Sequence, residues 1–177
     1  MDEYISFGEN TVVFNYNKAD LPAETPVEYE LIKIKRDIIA ALKASDPERY
    51  SDYNDDSDIY LSDYQNIRVL NIDGSEGWSS YGKQIEKIDY LEYMINLEEL
   101  TVEFGYLREL DLSNNTKLKK LNCSHNALFG IDLSKNTELE ELDCSYNGLL
   151  ELDFSSNKKL KKVNCSNNWI DNIAVIL

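Results

Sequence analysis

The sequence predicts an α+β repeat solenoid. Its stacked coils each contribute one short strand to a parallel, concave sheet, and an N-terminal cap containing a β-hairpin and an amphipathic helix precedes them. Three observations predict this. A block of 21 residues recurs without a gap through residues 107–169. Apolar residues recur at helical spacing within Val27–Ala44. Composition also changes near residue 106: residues 1–106 carry 23 acidic and 9 basic side chains against 10 and 9 in 107–177, and Tyr146 is the only one of 12 tyrosines beyond that point.

From the N-terminus, Tyr4–Phe7 and Val12–Tyr16 are β-rich and flank Gly8-Glu9-Asn10, which predicts a hairpin. Pro22–Pro26 is a connection. Leu31, Ile34, Ile38 and Leu42 then fall on one helical face, and Ser45-Asp46-Pro47 ends that helix and can cap a short turn after it. Ile67-x-x-Leu70-x-Ile72 reads as the first strand of the sheet. The loop DGSEGWSSYGKQ follows it, and there Trp78 and Tyr81 are candidates for recognition, since loops often carry binding residues. As readily, they cover the edge of the cap core.

Ile85, Ile88, Leu91, Met94, Leu97 and Leu100 keep a three-residue step that ends in the next strand with Val102. The three units LRELDLSNNTKLKKLNCSHNA, LFGIDLSKNTELEELDCSYNG and LLELDFSSNKKLKKVNCSNNW each contain L-x-x-L-x-C-x-x-N-x-L or its close variant. Alternation around Leu121-Asn122-Cys123 and its equivalents marks a strand with one buried face. Leu107, Leu110 and Leu112, with their equivalents, close the opposite wall. Asn126, Asn147 and Asn168 stand where the chain leaves the strand, a turn that asparagine tolerates and bonds across.

These units resemble the leucine-rich-repeat family, and the upstream three-residue cadence with a preceding helix resembles internalin-like proteins. The resemblance implies a right-handed leucine-rich-repeat solenoid with a parallel concave sheet. A cap over residues 1–66 is followed by a solenoid over 67–177, with repeats at 67–84, 85–106, 107–127, 128–148 and 149–169 and a partial one at 170–177. It also implies an asparagine ladder, an extracellular or cell-surface location, and a protein ligand. A cytoplasmic location stays open.

The net charge of −15 repels nucleic acid and anionic lipid, so neither is expected as a partner. No run of about 18 apolar residues exists to insert in a membrane. The start, MDEYISFGEN, has neither the basic flank nor the apolar stretch of a signal peptide, which is therefore expected to be absent or already removed. Cofactors are not expected.

Cys123, Cys144 and Cys165 fall in the inward column, so buried reduced thiols are expected rather than a zinc or disulfide set. Asp52, Asn54, Asp56, Asp58 and Asp63 have the 1, 3, 5, 7, 12 spacing of a calcium loop. Ser57 replaces its invariant glycine and Asp63 its bidentate glutamate, which favours a solvated acidic loop over a metal site. The single histidine, His125, has no adjacent base or nucleophile, and no hydrolase or nucleotide motif is present. The chain is therefore read as non-catalytic, with His125 an exposed turn residue.

The outward strand positions are the candidate binding face: Glu99 and Thr101, then Lys120 and Asn122, then Glu141 and Asp143, then Lys162 and Asn164. Phe104, His125 and Tyr146 lie in the column just beyond. The alternation Glu99, Lys120, Glu141, Lys162 also suits simple mutual neutralisation of a solvated sheet. A protein-binding module is thus weighed against a structural spacer within a longer surface protein. At the C-terminus, Ile170-x-x-Ile173-x-Val175 opens a further unit that stops without a strand. Its uncapped edge predicts either a longer native chain or a homodimer, because free strand edges seek partners.

Overall fold

The computed structural model describes residues 7–8, 11–12, 26–73 and 85–174. Trp78, Tyr81 and Val175 lie outside the described residues. Among the described residues no helix is long and apolar enough to cross a membrane.

The predicted hairpin is present as β1 (Phe7–Gly8) antiparallel to β2 (Thr11–Val12). It is not free-standing, because β2 also pairs antiparallel with β3 (Ile59–Tyr60), a strand absent from the sequence reading. The long helix α1 (Pro26–Ser45) buries Ile38, Ile39, Ala41 and Leu42 and packs on the first strand of the main sheet. Asp46 caps α2 (Pro47–Tyr50), its Oδ1 accepting the Arg49 backbone N–H at 3.1 Å while Pro47 fills a position with no amide to satisfy.

The calcium-loop spacing does not become a ligand set, and the reason is local. Asp63, in α3 (Leu61–Tyr64), is buried and its carboxylate is consumed by the cap. Oδ1 accepts from the Tyr50 hydroxyl at 2.9 Å and from Arg49 at 3.3 Å, and Oδ2 from the Tyr60 backbone N–H at 2.9 Å and the Tyr53 hydroxyl at 3.4 Å. Asn54 closes its own turn by accepting the Asp56 N–H at 2.9 Å. Asp52, Asp56 and Asp58 are exposed. Among the described residues no group of three or more histidine, cysteine or carboxylate side chains is placed to hold a metal ion.

The main sheet is parallel throughout, in the order β4 (Val69–Asp73), β5 (Glu99–Glu103), β6 (Lys120–Asn122), β7 (Glu141–Asp143), β9 (Lys162–Asn164). Its register aligns Leu70, Leu100, Leu121, Leu142 and Val163 in one inward row. Each coil supplies half of the apolar cover its neighbour needs. Leu142 is accordingly 3% exposed, but Val163, in the last strand of the sheet among the described residues, is 42% exposed. Cys123 and Cys144 are buried in the adjacent inward row and Cys165 is half-buried; all three are free thiols.

Opposite the sheet, Leu107, Leu112, Leu128, Leu133, Leu149 and Leu152 close the core. The expectation of no strand in the last coil is corrected here. β10 (Asn172–Ala174) runs parallel to β8 (Glu151–Asp153) on this outer wall, with Ile173 opposite Leu152. Period 21 thus places a strand in the outer wall as well as in the sheet. The D-[LF]-S-x-N segments also have a definite task. Asp111, Asp132 and Asp153 each accept the backbone N–H two residues on, at 2.9, 2.8 and 2.7 Å. The buried Asn115, Asn136 and Asn157 donate to carbonyls of the preceding coil at 2.9–3.1 Å.

Candidate binding face

The face is built by the turns that end the strands. Asn126 donates through Nδ2 to the carbonyls of Val102, Cys123 and Ser124 at 2.9, 3.1 and 3.1 Å, and its Oδ1 accepts the Leu107 N–H at 3.2 Å. Asn147 and Asn168 repeat this pattern one and two coils later. Each asparagine therefore ties its own turn to the coil before it. Gly105 occupies the equivalent position one coil earlier, and a Cβ there would lie 2.6 Å from Asn126 Oδ1.

So tight an exit places the residue before each asparagine, and before Gly105 at the equivalent position, in left-handed backbone. Phe104, His125, Tyr146 and Asn167 have φ of 54°, 55°, 53° and 57°, a region side-chain-bearing residues seldom enter. The repeated conformation aims successive side chains along one line. Phe104 and His125 stack with centroids 4.4 Å apart and planes 21° from parallel, and His125 and Tyr146 at 4.2 Å and 10°. His125 is thus a turn residue as expected, but it is half-buried between two rings and not freely exposed. Tyr146 is 51% exposed and is the last ring of the stack, with Asn167 at the next position of the line.

The sheet positions sort into columns of different character. Lys120 pairs with Glu99 at 2.7 Å and Lys162 with Glu141 at 2.8 Å, so the alternation legible in the sequence is realised as two ion pairs. A second charged column, one residue earlier, escaped the sequence reading: Glu98 takes Lys119 at 2.5 Å and Arg68 at 2.9 Å, and Lys161 pairs with Glu140 at 2.7 Å. Its signal was available in the same 21-residue alternation of sign from Glu98 to Lys161. Hydrogen bonds from Lys119 and then Arg68 hold the Glu98 carboxyl below its ordinary range, and the hydrogen bond from Lys162 does the same for Glu141.

The next outward column holds Thr101, Asn122, Asp143 and Asn164. Asn164 donates to Asp143 Oδ2 at 2.9 Å, and the Ser145 hydroxyl and N–H donate to Oδ1 at 2.6 and 3.0 Å. Partial burial pushes this carboxyl up, but the bonds from Ser145 and Asn164 outweigh it and hold it below the usual range. Glu103, at the end of β5, accepts Asn122 at 2.7 Å and Ser124 at 3.1 Å on one oxygen. Away from the sheet, Phe129, Leu150 and Trp169 are exposed on the outer turns, an apolar surface the sequence reading did not single out.

No protein-family model matches this chain. No curated protein matches it by sequence. Solved structures do resemble it. An internalin, InlF, from Listeria monocytogenes aligns with a TM-score of 0.54 at 18% identity over 87% of this chain and 48% of its own. Internalin C2 from the same organism aligns at 0.53 and 16%, over 88% of this chain and 80% of its own. The chain thus spans about half the length of InlF. At these identities the likeness is one of fold: a parallel sheet with helices in the internalin-type solenoid arrangement.

Proposed function

We propose that this chain is a non-catalytic protein-binding module of the leucine-rich-repeat type, internalin-like, with residues 1–66 as its cap and 67–177 as its solenoid. It works at a bacterial cell surface or in the surrounding medium and takes its partner on the concave sheet face. The observation that carries this reading is the three-ring column of Phe104, His125 and Tyr146 beside a solvent-facing sheet. Aromatic rings held in fixed geometry lose little entropy on binding and are enriched among residues that dominate interface energies. The contact residues in this reading are those rings with Glu99, Thr101, Lys120, Asn122, Glu141, Asp143, Lys162 and Asn164.

A photo-crosslinking residue placed at Thr101, and in a second protein at Ser134 on the outer wall, tests this on native cells. Thr101 should yield one discrete adduct that excess unlabelled protein abolishes, and Ser134 none. Equal labelling from both positions, or none from either, would favour the structural spacer.

A further inference from the structure

The lip of the sheet carries a charge that the rest of the face does not. In the two outer columns the carboxylates of Glu98, Glu99, Glu140 and Glu141 each have a lysine. Glu103 and Asp143 have none within 4 Å among the described residues, and only neutral amides and hydroxyls fix their orientation. Both are half-buried, Glu103 at the end of β5 just before Phe104 and Asp143 at the end of β7 three residues before Tyr146. The two oriented carboxylates, without a lysine or arginine partner, therefore share strand ends with the ring stack, whose last ring, Tyr146, is 51% exposed.

We propose that this lip is a receiving site for an arginine side chain of the partner, the guanidinium lying flat on the Tyr146 ring and pairing with Asp143, so that the partner presents a basic segment there. The inference rests on the protein-binding reading above and adds the chemistry of the partner. Arginine suits the place better than lysine because its planar cation both stacks on an aromatic face and forks onto a carboxylate. Asp143 keeps acceptor capacity for it: one oxygen serves Ser145 and the other Asn164. An acidic segment would meet Glu103 and Asp143 unscreened, and a purely apolar one would strip water from two carboxylates with nothing in return.

The test is an amide-resolved NMR titration of the full chain with tri-arginine, tri-lysine and tri-glutamate peptides. Tri-arginine should bind most tightly, with shifts confined to residues near 103–104, 124–125 and 143–146, and tri-glutamate should not bind. Asp143→Asn and Tyr146→Ala should each weaken tri-arginine on the order of tenfold, while Tyr146→Phe, which keeps the ring, stays within about twofold of wild type. Asp171→Asn on the outer wall removes the same charge elsewhere and should also stay within about twofold. Equal losses from Asp143→Asn and Asp171→Asn would reduce the effect to bulk negative charge and overturn the proposal. So would shifts spread over the acidic cap, or full binding by Tyr146→Ala with an unchanged spectrum elsewhere. If tri-arginine fails while Thr101 still yields its competed adduct, this inference falls and the binding face stands; failure of the Thr101 adduct strikes the face itself.

Discussion

At the scale of single residues the turn ladder carries a disproportionate load, since one asparagine amide serves two coils. Removing Asn147 leaves the Leu128 N–H without its acceptor and takes one of two asparagine donors from each of the Cys123 and Cys144 carbonyls. Asn147→Ala should therefore cost about 1–3 kcal/mol in urea unfolding, because the Leu128 N–H stays unpaired and two carbonyls each lose a donor. Gly105→Ala probes the ladder from the other side. Its Cβ would meet the oxygen of an amide group held by four hydrogen bonds, one accepted by that oxygen and three donated by Nδ2, so a loss of about 1–3 kcal/mol is expected, and an unchanged midpoint would mean the ladder yields freely. The thiols give a third readout. Burial pushes Cys144 up to about 12 and Cys123 well above its ordinary value, whereas Cys165 is half-buried at the open coil. A colourimetric thiol reagent should modify one cysteine quickly in native protein and the other two only after unfolding.

Among the elements, the sheet and the cap respond to different perturbations. Leu142 has a paired strand on each side and Val163, among the described residues, on one. Leu142→Ala should cost about 2–5 kcal/mol and Val163→Ala well under about 1 kcal/mol, a gradient that equal losses would refute. The cap answers to alkali. Burial, and next the hydrogen bond to Asp63, push Tyr50 from 10.0 to about 12, and burial raises Tyr53, Tyr64 and Tyr90 as well. The folded state thus prefers the protonated phenol. That contribution is complete below about pH 10 and is lost as pH rises through about 12. Urea midpoints should fall between pH 9 and pH 11, and Tyr50→Phe should make the fall shallower; equal slopes would contradict the assignment. The strands of the sheet and helix α1 were legible in the sequence because periods of 21 and of three to four residues report burial directly. β3 and β10 were not, since two- and three-residue strands take their state from a distant partner. The burial of Asp63 was hidden for the same reason: the sequence reading placed it in a solvated acidic loop, while the fold brought Tyr50, Tyr53 and Arg49 around it.

For the whole molecule, the charge asymmetry legible in the sequence translates into a partition of surfaces. Lysines alternate with glutamates across the sheet and neutralise its two outer columns, so that the sheet face keeps its negative charge at the lip of Glu103 and Asp143, while Asp111, Asp132 and Asp153 carry theirs on the outer wall and residues 1–106 hold most of the acidic excess. The sequence located the ring column by its period but missed its stacking, because the left-handed turns that align Phe104, His125 and Tyr146 are imposed by asparagines of neighbouring coils. The central claim is the proposal that the sheet face and its lip are where the partner sits. Hydrogen–deuterium exchange of the full chain, alone and with the protein captured through Thr101, tests it most directly. Protection is predicted in residues 99–104, 120–125 and 141–146, with 108–117 and 129–138 unchanged. Protection confined to the outer wall around Phe129, Leu150 and Trp169, with the strand segments unchanged, would contradict it.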